Sequence, residues 1–260
     1  MSVAPRIGLV LGAGGTSGGF FIRAGFAALQ ERTGWVPAMS QMVIGTSVGA
    51  LNAARIDSEA IEATDDSFER LRHLSVELGV PSRTIADRGL HAPRRVGGRL
   101  LGRLAPAGKH QPDYDVAAPP FHPQVRVVSC RRSDGSRRVS ILANAAEPSK
   151  ELYASAAIPG YSPPVEIDGE AYVDGAVWST TNADLVDPVG LDLLIVIAPM
   201  VPLTGGSLLR RAHRASLLNE LAPWKRSNKP IVYLVPRTDA MDNKDDHQAF
   251  GADARRQILG

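Results

Sequence analysis

The sequence predicts an α/β fold built on a mainly parallel sheet, and three observations carry that prediction. Apolar, β-branched runs alternate with helical patterns along most of the 260 residues, as βαβ units require. The first apolar run opens directly into a glycine-rich segment, Gly12 to Gly19. The second ends in Gly45, Thr46, Ser47, Val48 and Gly49, and a helical pattern follows at once.

Taken in order, Ile7 to Leu11 reads as a buried strand, and Phe20 to Arg32 as a helix stopped near Gly34. Met42 to Ile44 is a second strand, followed by the helix-compatible VGALNAARI. Ser58 to Leu78 carries Ile61, Phe68, Leu71, Leu74 and Leu78 at helical spacing. Val125 to Ser129 and Arg138 to Leu142 flank SDGS, a hairpin signal. Pro148 to Ala157 suits a helix with proline in its first turn. Val165 to Ile167 and Ala171 to Val173 flank the turn pair Asp168, Gly169. Leu191 to Ala198 and Ile231 to Val235 complete the buried strands, with helices expected over Leu208 to Leu221 and His247 to Leu259. No internal repeat or long low-complexity tract interrupts this order, and one domain over residues 1–260 is expected.

With 44% apolar and 22% charged residues, the composition is that of a globular chain and too apolar for a disordered one. The formal net charge of +2 argues against nucleic-acid binding by the whole protein. It hides an uneven spread. From Arg83 to Arg138 there are twelve basic and four acidic residues, a net of +8, which leaves −6 for the remainder. Within the Pro/Gly/Arg-rich region 81–123 lies RRVGGRLLGRL, where Arg94, Arg95, Arg99 and Arg103 interleave with Val96, Leu100, Leu101 and Leu104 at roughly helical spacing. Two readings stand here: a solvated loop with a short surface helix, or a lid-like cover near the active site that meets anionic headgroups.

The single cysteine, Cys130, excludes an intramolecular disulfide and fits a reducing compartment, so a cytoplasmic location is expected. The apolar stretch at the start runs into glycines instead of a small-residue cleavage site, and LDLLIVIAPM is closed by Pro199. Any membrane contact is therefore expected to be peripheral. No motif speaks to oligomeric state.

Three features carry chemistry. Gly45 to Gly49 is a GxSxG between a strand and a helix, the context a nucleophile elbow needs: small residues permit a tight turn that lifts the Ser47 hydroxyl clear of the backbone. A helix N-terminus behind Ser47 favours developing negative charge. The glycine segment after the first strand fails as a dinucleotide fingerprint, because Ser17 stands where the third glycine belongs and no acid stands at the end of the second strand. Its other readings are an oxyanion hole, in which glycines without Cβ let backbone N–H groups point at a tetrahedral intermediate, or close strand–helix packing alone. Third, Asp174 ends a strand and precedes Gly175, which places it to face Ser47 if both stand at one edge of the sheet. The dipeptide by itself is a turn signal, as at Asp134 and Asp168.

Jointly, IGLVLGAGGTSGG, VIGTSVGALNA and ASAAIPGYSPPVEIDGEAYVDGAVWSTTNADL resemble the patatin-like lipid acyl hydrolases, in that family's order and at both ends of its catalytic core. The resemblance implies a three-layer α/β/α sandwich and a Ser-Asp dyad, with Ser47 as nucleophile, Asp174 as base, and the N–H groups of Gly14, Gly15 and Thr16 on the oxyanion. The substrate it implies is a lipid or other acyl ester, and it calls for no metal or cofactor. Two positions depart from the family's pattern: Ala13 where glycine is usual, which still carries an N–H, and Ser17 where a basic residue is frequent. An aspartate with an ordinary pKa of about 4 is a poor base at neutral pH, so the mechanism requires a buried Asp174 close to Ser47. An acidic stretch near Asp239 fails as a calcium loop, with Lys244 at the glycine place and Phe250 at the twelfth. Two rivals remain: a Ser-His-Asp esterase completed by His213 or His247, although the histidines read as loop or surface residues, and a lipid-binding module without catalysis.

Overall fold

The computed structural model describes residues 4–81, 91–110, 116–237 and 247–260, with the backbone alone at 91–95. Arg83, Asp239 and Lys244, and the side chains of Arg94 and Arg95, lie outside the described residues. In chain order the elements are β1 (Ile7–Leu11), α1 (Gly15–Thr33), β2 (Ser40–Thr46), α2 (Val48–Ala53), α3 (Asp65–Glu77), α4 (His91–Leu104), β3 (Val125–Arg131), β4 (Arg137–Ile141), α5 (Pro148–Ser155), β5 (Val165–Ile167), β6 (Glu170–Asp174), β7 (Leu193–Ile197), α6 (Leu208–Glu220), α7 (Ala222–Arg226), β8 (Ile231–Leu234) and α8 (His247–Leu259). The alternation of strand and helix is the predicted one.

The sheet is mainly parallel. β1 lies between β2 and β7, β2 continues to β3 and β7 to β8, all four pairings parallel. The antiparallel pairings are the two expected hairpins, β3 with β4 and β5 with β6, and the contact of β6 with β3. Gly135 closes the first hairpin at φ 70°, and Asp168 and Gly169 close the second at φ 52° and 76°.

The register along β3 decides where the site forms. β4 occupies one edge of β3 over Arg126 to Cys130. β2 pairs with Val125 to Val128 and β6 with Ser129 to Arg131. A strand has two edges, so β2 and β6 must share the other one, end to end. Thr46 stands opposite Val128 and Asp174 opposite Ser129, successive places on one strand.

Side chains alternate across the sheet and feed two cores. On one face Ile7, Leu9, Leu193 and Ile195 pack with Phe21 and Leu29 of α1, Leu71 of α3 and Phe250 of α8. On the other, Val10, Leu194, Val196 and Tyr233 pack with Leu217 of α6, Leu221 and Trp224. Helices thus cover both faces, in the three-layer α/β/α arrangement expected. β7 and β8 read as continuous apolar runs because both of their faces are buried.

Two boundaries differ from expectation. The first helix begins at Gly15 instead of Phe20, so most of the glycine segment is helical. Glycine is a poor helix former, but packing overrides it: a Cβ at Gly18 would come within 3.1 Å of Pro199, and one at Gly19 within 3.1 Å of Val48. The helix expected over Ser58 to Leu78 is confined to α3 because Thr64 caps it, its side chain accepting the Ser67 N–H. Two histidines are also more buried than expected, His122 in a loop and His213 on α6.

After Asp174 the chain turns through buried Ser179, Thr180, Thr181 and Asn182. Glu220, at the end of α6, fastens this segment: its Oε2 accepts the Thr181 hydroxyl at 2.8 Å and the Ala183 N–H at 2.9 Å, and its Oε1 accepts the Ser216 hydroxyl at 3.2 Å. Burial pushes the Glu220 carboxyl above its ordinary value of 4.5, with the charge of Asp184 adding to the rise and the accepted hydrogen bonds opposing it. The folded state therefore holds a proton that the unfolded chain releases near pH 4.5. The corresponding stability is complete below that pH and is lost as pH rises through the folded value. Thermal unfolding of native and Glu220→Gln protein, followed from below pH 4.5 to neutrality, is expected to show the native melting temperature falling relative to the variant as pH rises. A constant difference would mean that the two states share one Glu220 pKa.

Candidate active site

Ser47 joins β2 to α2 with φ 57° and ψ −126°, a backbone that side-chain-bearing residues seldom adopt. The glycines on either side make this turn possible by close approach. A Cβ on Gly45 would lie 2.6 Å from the Ala50 Cα, and one on Gly49 only 2.1 Å from the Leu11 carbonyl oxygen. The Ser47 N–H donates to the Ser155 Oγ at 3.0 Å, and that hydroxyl donates to the Val128 carbonyl at 2.7 Å. Ser47 is thereby fixed to β3 beside the residue that Thr46 faces.

Asp174 arrives at the same place from β6. Its N–H donates to the Ala157 carbonyl at 2.9 Å, and its Oδ1 accepts the Ala176 N–H at 2.7 Å. Ser47 is 6% exposed and Asp174 3%, so the burial that a base role demands of the carboxylate is present. Asn182 ties the two strand ends together. Its Nδ2 donates to the Thr46 Oγ1 at 3.1 Å, the Ser179 carbonyl at 2.8 Å and the Gly175 carbonyl at 3.4 Å. Thr46 precedes Ser47 and Gly175 follows Asp174, so one buried amide spans both.

Ser47 and Asp174 line a single cavity of about 700 Å³, together with Gly14 and Gly15. The remaining walls are chiefly apolar: Leu101 of α4, Ile158, Val177, Met200, and Leu209 of α6. α4 lies over this space, held by Gly102, where a Cβ would come within 2.9 Å of Val177, and by Arg99, whose guanidinium sits 4.1 Å from the Trp178 ring centre. Arg99 therefore packs α4 onto the turn after Asp174, in addition to any contact it makes with solvent.

The glycine segment divides. The Gly12 N–H donates to the Ile197 carbonyl at 2.9 Å and the Ala13 N–H to the Thr180 carbonyl at 2.8 Å, so Ala13 is not available as an oxyanion donor, contrary to the expectation that it still was. Gly14 caps α1, and the first N–H groups of that helix have no acceptor one turn back. Gly15 has φ 58° and faces open space, bordering both this cavity and an adjoining pocket of about 360 Å³ that Thr16 and Ser47 also line. Gly14, Gly15 and Thr16 thus stand around Ser47 at the positive end of a helix.

The histidines separate as well. His213 lines the larger cavity. His247 does not: its Nδ1 meets the Ser17 Oγ at 2.8 Å and its ring stacks on Phe20 at 5.5 Å. Among the described residues no three His, Cys, Asp or Glu side chains converge as a metal site. Ser155, Asn182 and Glu220 were missed in the sequence. The available signal was the polar run Ser179 to Asn182, too long for a turn and too uncharged for a solvated loop.

The two glycine environments have opposite consequences for substitution. Gly49→Ala would press a methyl into the Leu11 carbonyl and is expected to cost roughly 3 kcal/mol or more of stability, enough to lose soluble folded protein. Gly15→Ala meets open space and carries only the left-handed backbone penalty, about 1 kcal/mol. Denaturant unfolding of the two variants checks the contrast, and equal destabilisation would contradict the close approach at Gly49.

A buried serine at a strained strand–helix turn, an aspartate brought alongside by a strand sharing the same edge, and a helix N-terminus of glycines form one constellation. No curated protein matches the chain in sequence. Among solved structures it is similar to the crystal structure of VipD from Legionella pneumophila, at 10% identity, covering 98% of this chain and 66% of that one, with a TM-score of 0.44. The family model of the patatin-like phospholipases matches residues 9–187, from β1 past Asp174 to the segment that Glu220 fastens. By that match, which spans well over half its length, the chain belongs to the patatin-like phospholipase family.

Proposed function

We propose that the protein hydrolyses carboxylic esters of lipids, with Ser47 as nucleophile and Asp174 as the base that activates it. The observation that supports this most directly is the presence of both residues on one apolar cavity, at a helix N-terminus, in a chain of this family. The Ser47 Oγ attacks the ester carbonyl carbon as Asp174 takes its proton. The first-turn N–H groups of Gly14, Gly15 and Thr16 receive the oxyanion. The ester C–O bond then breaks and the alcohol leaves with the proton from Asp174. Water, deprotonated by the same carboxylate, attacks the acyl-enzyme and frees Ser47. The apolar walls suit a fatty acyl chain and keep Asp174 poorly solvated, which favours its neutral product form and hence its basicity.

His213 favours a second reading, a Ser-His-Asp esterase, because it lines the same cavity. His247, engaged with Ser17 and Phe20, does not support that reading. A non-catalytic lipid-binding role leaves the strained Ser47 turn without a purpose, and labelling of Ser47 by a serine-reactive phosphonate would separate it from the hydrolase.

The lipid surface itself is part of the proposal. On α4, Val96, Leu100 and Leu104 recur every fourth residue and are 59%, 51% and 72% exposed, and Leu208 at the start of α6 is exposed as well. This stripe is continuous with the cavity mouth, where Leu101 and Leu209 stand. No helix among the described residues is long and apolar enough to cross a membrane. The fitting contact is therefore a peripheral one, with the stripe in the interface and the basic residues of α4 toward anionic headgroups.

Two outcomes follow. Ser47→Ala and Asp174→Asn are each expected to lower kcat on p-nitrophenyl esters roughly a thousandfold or more, with the double variant close to either single one. His213→Ala should keep most of the rate, and its collapse would favour the triad. Replacing Val96, Leu100 and Leu104 by glutamine should weaken binding to anionic vesicles by about tenfold or more, while a soluble short-chain ester is turned over as before. High salt should weaken the native contact in addition. Equal vesicle binding by native and variant protein would remove the membrane from the proposal.

A further inference from the structure

The two pockets that meet at Ser47 differ in chemistry. The larger is apolar, whereas the adjoining one is lined by Arg23, Arg55, His110, Asn52 and Tyr161, with no carboxylate among its lining residues. They share Ser47, Gly15 and Ile158. An ester presents two diverging substituents at its carbonyl carbon, the acyl chain and the alcohol. A serine at the junction of an apolar and a cationic space can therefore hold one substituent in each. Resting on the hydrolase reading above, we infer that the smaller pocket receives an anionic phosphoryl group carried on the alcohol side of the scissile ester.

Several features of the pocket fit that class of ligand. Arg23 comes from α1, one turn beyond Gly19. Its Nη1 is 3.5 Å from the Asn52 Oδ1 and its guanidinium lies 4.7 Å from the Phe20 ring centre, which steadies the side chain while leaving most of its N–H groups to a ligand. It makes no ion pair among the described residues. Arg55, at the end of α2, is oriented by a bond from its Nη1 to the Leu51 carbonyl at 3.1 Å. His110 packs on the Tyr161 ring at 4.6 Å on the opposite wall. Two guanidinium forks from different helices suit a tetrahedral oxyanion with several acceptor oxygens better than they suit an uncharged glycerol. The N-terminal turn of α1, which supplies Gly15 and Thr16 to the same pocket, adds its positive end. Arg23, Arg55 and His110 are all exposed, as the headgroup end of a lipid requires and the acyl end does not. On a phosphorylated acylglycerol the bond that breaks is still the ester C–O bond. The departing glycerol phosphate leaves as an alcohol with the proton from Asp174, and its phosphate takes no part in bond making.

The test compares a short-chain lysophosphatidic acid with the monoacylglycerol of the same acyl chain, both as monomers, so that surface charge plays no part. The ratio of their kcat/KM values is measured in the native chain, in Arg23→Gln and in Arg55→Gln. That ratio is expected to fall by about tenfold in each variant, the scale of one charge-assisted bond, chiefly through KM, with partial recovery in Arg23→Lys. An unchanged ratio in both overturns the inference. Inorganic phosphate and glycerol 3-phosphate, added as competitors, form the second arm. If either binds more tightly than the lysophosphatidic acid, the pocket is a free-phosphate site and the inference fails. Binding of the two lipids to the Ser47→Ala protein gives a readout independent of turnover. A phosphate preference that persists there, and is lost with Arg23→Gln, while the native chain cleaves no ester, would overturn the hydrolase reading and keep the pocket. Ester cleavage without any phosphate preference would do the reverse.

Discussion

The shared edge of β3 is the constraint on which the site rests. β2 and β6 reach that edge from opposite directions and stop at successive positions, Val128 and Ser129, so Ser47 and Asp174 emerge where the two strands abut. Side chains alternate along a strand, and a slip of β6 by one residue would send Asp174 to the other face of the sheet. The junction is tight enough to forbid such a slip. A Cβ on Gly175 would lie 2.4 Å from the Val128 carbonyl oxygen and 3.2 Å from the Thr46 side chain. Only a residue without one fits directly after Asp174.

Two strand ends that meet without a turn between them leave backbone groups unpaired, and buried polar side chains complete them. Ser155 takes the Ser47 N–H and returns a bond to Val128, while Asn182 reaches Thr46 and Gly175 together. Asn182 holds an αL backbone at φ 52°, and its Oδ1 in turn accepts from Arg137 at 3.3 Å. Arg137 pairs with both oxygens of Asp184 at 2.7 and 2.8 Å, and its guanidinium lies 4.9 Å from the Trp178 ring centre, the ring on which Arg99 also rests. A buried network of this kind is favourable only when its members are satisfied together. Here it runs from the nucleophile turn through the polar segment to the helix above the cavity. A change at Trp178 or Arg137 is thus coupled to the geometry at Ser47, although neither residue lines the cavity.

Much of this was legible in the sequence because it rests on local signals. The strand order of apolar runs, the hairpin turns SDGS and Asp168-Gly169, and the GxSxG between strand and helix are each encoded within a few residues. The glycine segment misled at its boundary because its composition argues for a loop, whereas Gly18 and Gly19 are helical residues that let α1 approach Pro199 and Val48. Thr64 was a readable cap that the spacing of Ile61 and Phe68 concealed. Ser155, Asn182 and Glu220 were beyond reach for a different reason. Their partners lie 27 to 136 positions away, and no periodicity records a hydrogen bond made across the fold. The burial of His213 on α6 belongs to the same class, since an amphipathic pattern does not say which turn of a helix overlooks a cavity.

α4 shows how the cavity stays open under a cover. Gly97, Gly98 and Gly102 fall within one helix of 14 residues, and each weakens it by about 1 kcal/mol relative to alanine. A helix so constituted is marginal alone and is held by what it touches. Gly102 admits Val177, and Arg99 stacks on Trp178, so the anchors lie on the second half of the helix. Gly97 and Gly98 instead border the cavity, where side chains would fill space that an acyl chain requires. The same three glycines therefore lower the intrinsic stability of α4, bring it down onto the turn after Asp174, and keep the volume over Ser47 free. Local weakness and proximity to the nucleophile have one origin in the sequence, and the cover of this site is drawn from the least self-sufficient helix that the described residues contain.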